Sequence, residues 1–413
     1  MRARGALASL GALIVLGAAP ARAPAALPGW WPRTLQLGLA DGPGGAAGLR
    51  AQTHLGFRYQ YLAGGVDTGK GWETWDPGGS FADGYVRESA RAGMIPVFSY
   101  YMVNQSAPGL GGNAEDRHDL AVLRDVSTMR LMYEDFRALM QRIDAAGSPA
   151  VVQVEPDLWG YIQQASHGDD AATVPAAVAS TGIGDLQGLP NTAAGFAQAV
   201  LRLAHRYAPR ALLGYHLSTW GTSVDPFLAK PPPAQLSDLA ARSARFYRSL
   251  GAAFPVSFAE FSDRDADFNK LIRGIPNSAW QATDFARQRA YLAEFNRLTG
   301  LPLVLWQIPM GNRIMRAEND TWGHFESDQV PWLLGRQGRR HMSDYVRAGV
   351  AALLFGGGAD GTTCACDADH DGIKNPPPID GNTHRSLSAD DDGGYFKQRA
   401  RAYFRAGALS LAP

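Results

Sequence analysis

Two glutamates stand at the ends of short apolar segments, where their carboxyl groups could take part in acid–base chemistry. Glu155 follows Val151–Val154, and Glu260 closes Val256–Ala259. Because Glu155 leaves a buried segment, desolvation is expected to raise the pKa of its carboxyl toward that of a general acid. Hydrolysis of a glycosidic bond needs such an acid together with a second carboxylate as base or nucleophile. The sequence therefore predicts a catalytic pair formed by Glu155 and Glu260.

Further polar and aromatic side chains end the other apolar segments or follow them closely. Aromatic rings can stack on sugar faces, while acids and amides can hydrogen-bond hydroxyl groups. Alternation along an extended strand is expected to place Gln153, Glu155 and Asp157 on one side. The residues predicted to bind substrate are Asp41, Trp72, Tyr101, Asp157, Trp159, His216, Trp220, Trp306, Gln307 and Asp360.

Eight short apolar runs alternate with amphipathic segments, which is typical of parallel strands and their crossover helices. This order predicts a (β/α)₈ barrel, with an open doubly wound sheet as the alternative. The spacing predicts a short or missing early helix and long loops after strands three, four, seven and eight. The predicted strands are Leu35–Ala40, Phe57–Leu62, Ile95–Met102, Ala150–Glu155, Ala211–Leu217, Val256–Phe261, Leu301–Ile308 and Val350–Phe355. The clearest helices are Thr128–Ala146, Thr192–Tyr207, Leu236–Leu250 and Asp284–Leu298.

The composition narrows the function classes before any motif is considered. The chain has 413 residues, with 39 basic and 39 acidic side chains, so it lacks the positive charge expected for binding nucleic acid or an anionic membrane. A hydrophobic fraction of 46% is enough to bury a large core. Because there is neither an internal repeat nor a detachable linker, residues 24–413 are expected to form one domain.

The N-terminus has the three parts of a secretory signal. Arg2 and Arg4 supply the positive charge, Ala6–Ala19 is mostly apolar, and Ala21-Arg22-Ala23 offers a small-x-small cleavage site. We expect residues 1–23 to be removed on export to the periplasm or the extracellular space. A membrane anchor is the alternative, but the apolar run is short for crossing a bilayer. After removal of the signal, no membrane association is expected.

Two short motifs resemble those of barrel-shaped glycosidases. Glu155-Pro156 at the end of the fourth strand resembles the Asn-Glu-Pro motif of retaining glycosidases, which implies that Glu155 is the acid/base. Val154 stands where those enzymes have Asn, and Gln307 falls near their nucleophile Glu. The segments 154–157 and 214–220 also loosely resemble the Glu-Pro-Asp and Gly-His-x-x-Trp-like segments of inverting cellobiohydrolases and endoglucanases. The resemblance implies a TIM-barrel glycoside hydrolase without selecting a family.

An acidic segment spans 357–392 after the eighth predicted strand. Asp367, Asp369 and Asp371 alternate before Gly372, as at the start of a calcium loop, but Pro378 replaces the glutamate that an EF-hand needs. A looser calcium site and an ordinary acidic turn are both open. Cys364 and Cys366 could form a strained disulfide or, with His370, a minor metal site.

The sequence thus predicts a secreted enzyme that hydrolyses O-glycosidic bonds of a polysaccharide or oligosaccharide. Serine-hydrolase, Walker, dinucleotide-binding and His-Glu-x-x-His motifs are absent, so no cofactor is expected to be required for the chemistry. The alternative is a barrel that binds carbohydrate without catalysis. Carboxyls of Glu155 and Glu260 about 5–10 Å apart across a cleft would favour hydrolysis. Burial of both in ion pairs, or an arrangement in which they face apart, would favour binding alone.

Overall fold

The computed structural model describes residues 27–261, 274–276, 278–310, 327–356 and 394–411. The predicted signal at 1–23 and the acidic segment at 357–392 lie outside these described residues. The substrate-binding assignment of Asp360 and the metal assignment of Asp367, Asp369 and Asp371 therefore lie outside them too, as do Cys364 and Cys366.

Eight parallel strands pair in chain order and close into a barrel, with the last strand hydrogen-bonded to the first. Each strand coincides with a predicted one to within two residues at either end. The (β/α)₈ prediction is confirmed, and the open sheet is excluded. The strands are β1 (Gln36–Ala40), β2 (Phe57–Leu62), β3 (Ile95–Tyr100), β4 (Ala150–Val154), β5 (Ala211–Leu217), β6 (Val256–Glu260), β7 (Leu303–Ile308) and β8 (Val350–Phe355).

Helices surround the barrel, and the first of them is short, as the spacing predicts. The described helices are α1 (Ala46–Gln52), α2 (Phe81–Arg91), α3 (Glu115–Val122), α4 (Val126–Ala146), α5 (Leu158–Ala165), α6 (Ala193–Tyr207), α7 (Pro226–Ala229), α8 (Pro233–Ser249), α9 (Ala282–Thr299), α10 (Gln329–Leu334), α11 (Gly338–Arg347) and α12 (Tyr395–Arg405). No helix among the described residues has the length and apolar character needed to cross a membrane.

Helix α4 shows how local sequence sets the ends of these elements. The side chain of Asp125 accepts a hydrogen bond from the Thr128 amide and caps the first turn. Gly147 ends the helix in a left-handed conformation, with φ of 78°. Between the two caps, Met132, Phe136 and other apolar residues at helical spacing are buried. The helix therefore presents one apolar face to the barrel.

Apolar side chains fill both the space between strands and helices and the inside of the barrel. The interior is packed by alternate residues of the strands, as in other barrels of this type. At Gly214 a Cβ atom would lie 2.4 Å from the Phe258 ring, so glycine is needed there for Phe258 to fill the interior. The buried residues of this inner group include Phe57, Tyr59, Val97, Val151, Leu212, Val256, Phe258, Val304, Trp306 and Leu354.

Residues 31–35 and 409–411 cover the N-terminal end of the barrel. Trp31 is buried there, and its ring centroid lies 4.9 Å from that of Phe57. Backbone hydrogen bonds join Leu35 to Leu409 and Leu411 to Arg33. Because this end is closed, the loops after the C-terminal ends of the strands are left to form a binding site.

Candidate active site

Three side chains from successive strand ends meet at the C-terminal end of the barrel. Asp157 follows β4, His216 lies in β5 and Glu260 ends β6. One carboxylate oxygen of each acid and one ring nitrogen of His216 all lie within 4.8 Å of one another. His216 is fully buried, whereas both acids are partly exposed. We call Asp157, His216 and Glu260 the carboxylate–histidine cluster.

The backbone after β4 decides which acid enters this cluster. Glu155 and Asp157 both have positive φ, 45° and 61°, on either side of Pro156. Such angles are unfavourable for residues other than glycine and often accompany functional sites. They interrupt the alternation expected from the sequence, which placed both acids on one side. Asp157 is the acid that comes close to Glu260.

Glu155 is instead enclosed beside the loop after β3. It has no exposed surface, and its carboxylate accepts hydrogen bonds from the Met102 and Val103 amides at 3.1 and 3.2 Å. Burial raises the pKa of Glu155 well above its ordinary value, opposed by the amide hydrogen bonds. The raised pKa agrees with the prediction, but the contacts are those of a residue that holds a loop in place.

His216 is held by a chain of polar side chains inside the barrel. The Ser99 hydroxyl donates to Gln153 Oε1 at 2.9 Å, and Gln153 Nε2 lies 2.6 Å from His216 Nδ1. The other ring nitrogen, Nε2, is buried and has no hydrogen-bond partner within the described part of the chain. Burial lowers the pKa of His216 to about 4, opposed by the negative charge of Glu260, so the ring is neutral near pH 7.

Aromatic rings lie beside the carboxylate–histidine cluster. The Trp306 ring centroid lies 5.6 Å from that of His216 and 5.7 Å from that of Tyr61. Tyr61 also contacts the Tyr101 ring and accepts a hydrogen bond from Gln307 Nε2. The predicted site residues Tyr101, Trp306 and Gln307 are therefore brought into one region with His216.

A cleft of about 720 Å³ lies over the loops after β2 and β3. Glu115 lines it and accepts a hydrogen bond from the Tyr101 hydroxyl at 2.9 Å. Burial, followed by the charges of Glu115 and Asp157, raises the pKa of Tyr101 well above its ordinary value. Tyr101 is thus hydrogen-bonded to the cleft lining at Glu115 and lies close enough to Asp157 to feel its charge. The cleft is lined by Gly64, Thr68, Lys70, Asn104, Gln105, Pro108, Gly109, Gly112, Asn113, Glu115 and His118.

Two tryptophans predicted to bind substrate lie in the core instead. Trp72 has no exposed surface and donates to Asp135 Oδ1 at 3.1 Å. Trp159 is also fully buried, donates to the Val154 carbonyl at 2.8 Å and packs against Phe196. Since neither ring reaches solvent, neither can stack on a sugar. The assignment of these two residues to substrate binding is wrong.

Asp41 and Trp220 occupy different surroundings at the same end of the barrel. Asp41 is paired with the buried Arg58 at 2.8 Å. Burial raises the pKa of Asp41 to about 6, opposed by the charge of Arg58. This ion pair favours a structural role for Asp41. Trp220 is partly exposed, and its ring centroid lies 4.9 Å from that of Tyr161, so it remains accessible to a ligand.

Sequence reasoning missed three residues of this region, namely Tyr61, Ser99 and Glu115. Tyr61 and Ser99 belong to strands whose inward positions otherwise carry apolar side chains. A polar group at such a position is unusual and could have indicated a functional residue. Glu115 begins a helix in the long loop after β3. Nothing in its local sequence distinguishes it from a solvated acid.

Fold and site together define a (β/α)₈ barrel with a carboxylate pair at its C-terminal end. No protein-family model and no curated protein matches the sequence. Solved structures with a similar fold include TIM-barrel glycoside hydrolases. An endo-β-1,4-mannanase from Cellulomonas fimi is 10% identical, with 92% of this chain and 75% of that chain covered, at a TM-score of 0.47. An exo-β-1,4-mannosidase from Opitutaceae bacterium strain TAV5 is 10% identical, with 90% of this chain and 60% of that chain covered, also at a TM-score of 0.47.

The similar solved structures also include an enzyme of other chemistry. Morphinone reductase is 13% identical, with 92% of this chain and 87% of that chain covered, at a TM-score of 0.41. Similarities at this level concern the fold alone, because one barrel supports many unrelated reactions. The function has to be argued from the site.

Proposed function

We propose that the protein is a glycoside hydrolase that cleaves O-glycosidic bonds of a polysaccharide or oligosaccharide with Asp157 and Glu260. The observation that carries the proposal is the separation of their nearest ligand oxygens, which lie within 4.8 Å of each other. Retaining glycosidases place the two carboxyl groups about 5–5.5 Å apart, whereas inverting enzymes leave about 6.5–9.5 Å for a water molecule. We adopt the retaining arrangement for the mechanism, because oxygens this close leave little room for a water molecule between them.

The two acids take different steps in this mechanism. Glu260 attacks the anomeric carbon while Asp157 protonates the departing glycosidic oxygen, which gives a covalent glycosyl–Glu260 ester and a free alcohol. Asp157 then removes a proton from water as the water oxygen attacks the same carbon and releases Glu260. We assign proton transfer to Asp157 because its charge acts on Tyr101, whose hydroxyl is hydrogen-bonded to Glu115 in the lining of the open cleft.

The surroundings of the pair suit a sugar substrate. Tyr61 and Tyr101 are partly exposed and supply ring faces and edges near the acids, while the buried Trp306 packs against Tyr61. The cleft supplies amides from Asn104, Gln105 and Asn113, which can donate to and accept from hydroxyl groups. This combination of rings and amides supports a carbohydrate as the partner.

The role that the sequence suggested for Glu155 passes to Asp157 in this proposal. The sequence criterion for catalysis is an open pair of Glu155 and Glu260, and the criterion for the carbohydrate-binding alternative is burial of both in ion pairs or an arrangement in which they face apart. Asp157 supplies a partly exposed acid next to Glu260, so the pair needed for hydrolysis is present with a different member.

Export after removal of residues 1–23 remains part of the proposal, and N-terminal sequencing of the mature protein tests it.

Release of reducing sugar from a panel of plant, fungal and bacterial glycans tests the function. The wild-type protein is compared with Asp157→Asn, Glu260→Gln and the control Asp116→Asn, which changes an exposed acid of α3. We expect activity in the wild type and the control, and its loss in the two site variants. A wild type that binds a glycan without cleaving it would support the non-catalytic alternative. Equal activity in all four proteins would exclude the Asp157–Glu260 pair.

A further inference from the structure

We infer that the carboxylate–histidine cluster binds a divalent transition-metal ion such as Zn²⁺, and that the bound ion blocks the proposed hydrolysis. The metal site stands on the geometry of Asp157, His216 and Glu260, whose ligand atoms lie within 4.8 Å of one another. The inhibitory effect rests on the proposed function. The two parts of the inference can therefore be tested separately.

The chemistry of the three side chains selects the kind of ion. Imidazole nitrogens and carboxylate oxygens are both zinc ligands, and three protein ligands leave the fourth position of a tetrahedral site open. Calcium is a poorer fit because it takes about six to eight oxygen ligands. An imidazole favours zinc, copper or nickel over hard cations. The charge of a divalent ion would also offset the two carboxylates.

His216 Nε2 is the independent observation that points to a ligand at this place. This nitrogen is fully buried and has no hydrogen-bond partner within the described part of the chain. Buried polar atoms without a partner are uncommon and need an explanation. Because Nδ1 is occupied by Gln153 at 2.6 Å, Nε2 is the nitrogen left for the cluster. A metal ion would give it a partner.

Gln153, whose side-chain nitrogen faces His216 Nδ1, can supply the acceptor that a metal-binding histidine requires if its amide turns over. Metal-ligating histidines usually donate the proton of the second nitrogen to a neighbouring acceptor. The side-chain amide of Gln153 can turn its oxygen toward Nδ1 and accept that proton, which leaves the Nε2 lone pair for the ion. The Ser99 hydroxyl, 2.9 Å from the Gln153 amide oxygen, is placed to support either orientation.

Only a small closure of the cluster is needed to reach bonding distance. Zinc bonds of about 2.0–2.2 Å place neighbouring ligand atoms about 3.3–3.6 Å apart in a tetrahedral site. His216 is fixed by its burial, whereas Asp157 and Glu260 are partly exposed side chains at strand ends. These two acids can move toward the ring. Once they bind an ion, neither can donate a proton or attack a sugar.

Direct metal binding to the full-length protein tests the site without an activity assay. Protein stripped with EDTA is titrated with Zn²⁺ by calorimetry and with Co²⁺ by visible absorption, using wild type, His216→Ala, Asp157→Asn and Gln153→Leu. His205→Ala, a change at an exposed histidine of α6, is the control. Because the acidic segment at 357–392 offers further ligands, the informative quantity is the difference in stoichiometry between proteins.

We expect wild type and His205→Ala to bind one more equivalent than His216→Ala and Asp157→Asn. Gln153→Leu should bind the ion about 10–100-fold more weakly, as for other changes behind a metal ligand. Asp157→Asn alters a partly exposed side chain, and circular dichroism confirms that each variant is folded. The same stoichiometry and affinity in wild type, His216→Ala and Asp157→Asn would overturn the metal site.

Glycan cleavage with EDTA and then with added Zn²⁺ separates the two proposals. We expect EDTA-treated enzyme to be active and Zn²⁺ to inhibit it. Zinc binding at the cluster without any glycan cleavage would remove the proposed function and keep the metal site. Cleavage that Zn²⁺ leaves unchanged would overturn inhibition. If EDTA abolishes cleavage and Zn²⁺ restores it, the metal site is supported and inhibition by the ion is excluded. The carboxylate-pair mechanism would then be replaced by one in which the ion takes part.

Discussion

A carboxylate oxygen of Asp157 lies within 4.8 Å of a carboxylate oxygen of Glu260, although β4 and β6 are separated by β5. The two positive φ angles around Pro156 bring Asp157 to this position, and β5 contributes His216 between the two acids. Backbone strain of this kind persists only where the surrounding structure stabilises it. The pair is therefore a feature of the folded barrel rather than of either segment alone.

Changing Asp157 is expected to lower kcat by about 10²–10⁴-fold, the usual contribution of an acid or base, and changing the nucleophile Glu260 should lower kcat at least as much. The assigned roles can be separated by adding azide to Asp157→Ala and Glu260→Ala. Azide should give a glycosyl azide of retained configuration with Asp157→Ala and of inverted configuration with Glu260→Ala. Proton NMR of the products measures this. The opposite pattern would exchange the two roles.

Glu155→Ala is expected to lower the free energy of unfolding by about 1–3 kcal/mol, because the buried Met102 and Val103 amides would lose their acceptor. Glu155→Gln keeps an acceptor oxygen and should retain both the fold and most of the activity. Urea unfolding and glycan cleavage measure the two effects. A folded but inactive Glu155→Gln protein would show that Glu155 takes part in catalysis.

Stability should depend on pH through Asp135, which accepts hydrogen bonds from the Tyr100 hydroxyl at 2.6 Å and from Trp72 at 3.1 Å. Burial raises the pKa of Asp135 from 3.8 to about 6, opposed by these hydrogen bonds. Between these values the folded state holds more protons than the unfolded state, so stability decreases as pH rises. The total change from this group is about 3 kcal/mol.

Asp135→Asn removes the titrating group and keeps the side-chain shape. Urea unfolding at several pH values from about 3.5 to about 7 should show the wild type losing stability relative to this variant as pH rises. A difference that is independent of pH, or one that grows in favour of the wild type, would contradict the raised pKa of Asp135.

Trp159 and Trp220 should respond to alanine substitution in different ways. Trp159→Ala removes a fully buried ring and is expected to cost about 3–5 kcal/mol of stability. Trp220→Ala changes a partly exposed ring beside Tyr161, so it should alter KM for a glycan more than the free energy of unfolding. Chemical denaturation and kinetics measure both. Equal loss of stability in the two variants would contradict the distinction.

Calcium binding by the acidic segment is proposed from the sequence alone. Asp367, Asp369 and Asp371 alternate before Gly372, which can direct carboxylates toward one ion. A calcium-selective chelator should lower the melting temperature, because an ion at a hundredfold excess over Kd stabilises the folded state by about 2.7 kcal/mol. Calcium should restore it, except in a variant with all three residues changed to Asn. An unchanged melting curve in the wild type would indicate an ordinary acidic turn.

Local patterns were sufficient for the architecture. Short apolar runs bounded by glycine, proline and polar residues identify strands, and apolar residues at three- and four-residue spacing identify helices. Their regular alternation selects the barrel, because parallel strands need crossover helices and neighbouring elements usually pack together. The strand ends follow from the same patterns, which is why His216, Glu260 and Trp306 were placed at the correct end of the barrel.

The choice among the acids and rings near those ends depends on contacts between distant segments. Alternation treats Glu155 and Asp157 alike, whereas the fold buries Glu155 against amides of the β3 loop and turns Asp157 toward β6. Trp72 and Trp159 resemble exposed cleft residues in sequence, but packing against Asp135 and Phe196 buries them. The sequence by itself determined the barrel and the region of its site. Only the tertiary structure decided which side chains face the cleft, because burial and backbone strain arise where non-neighbouring segments meet.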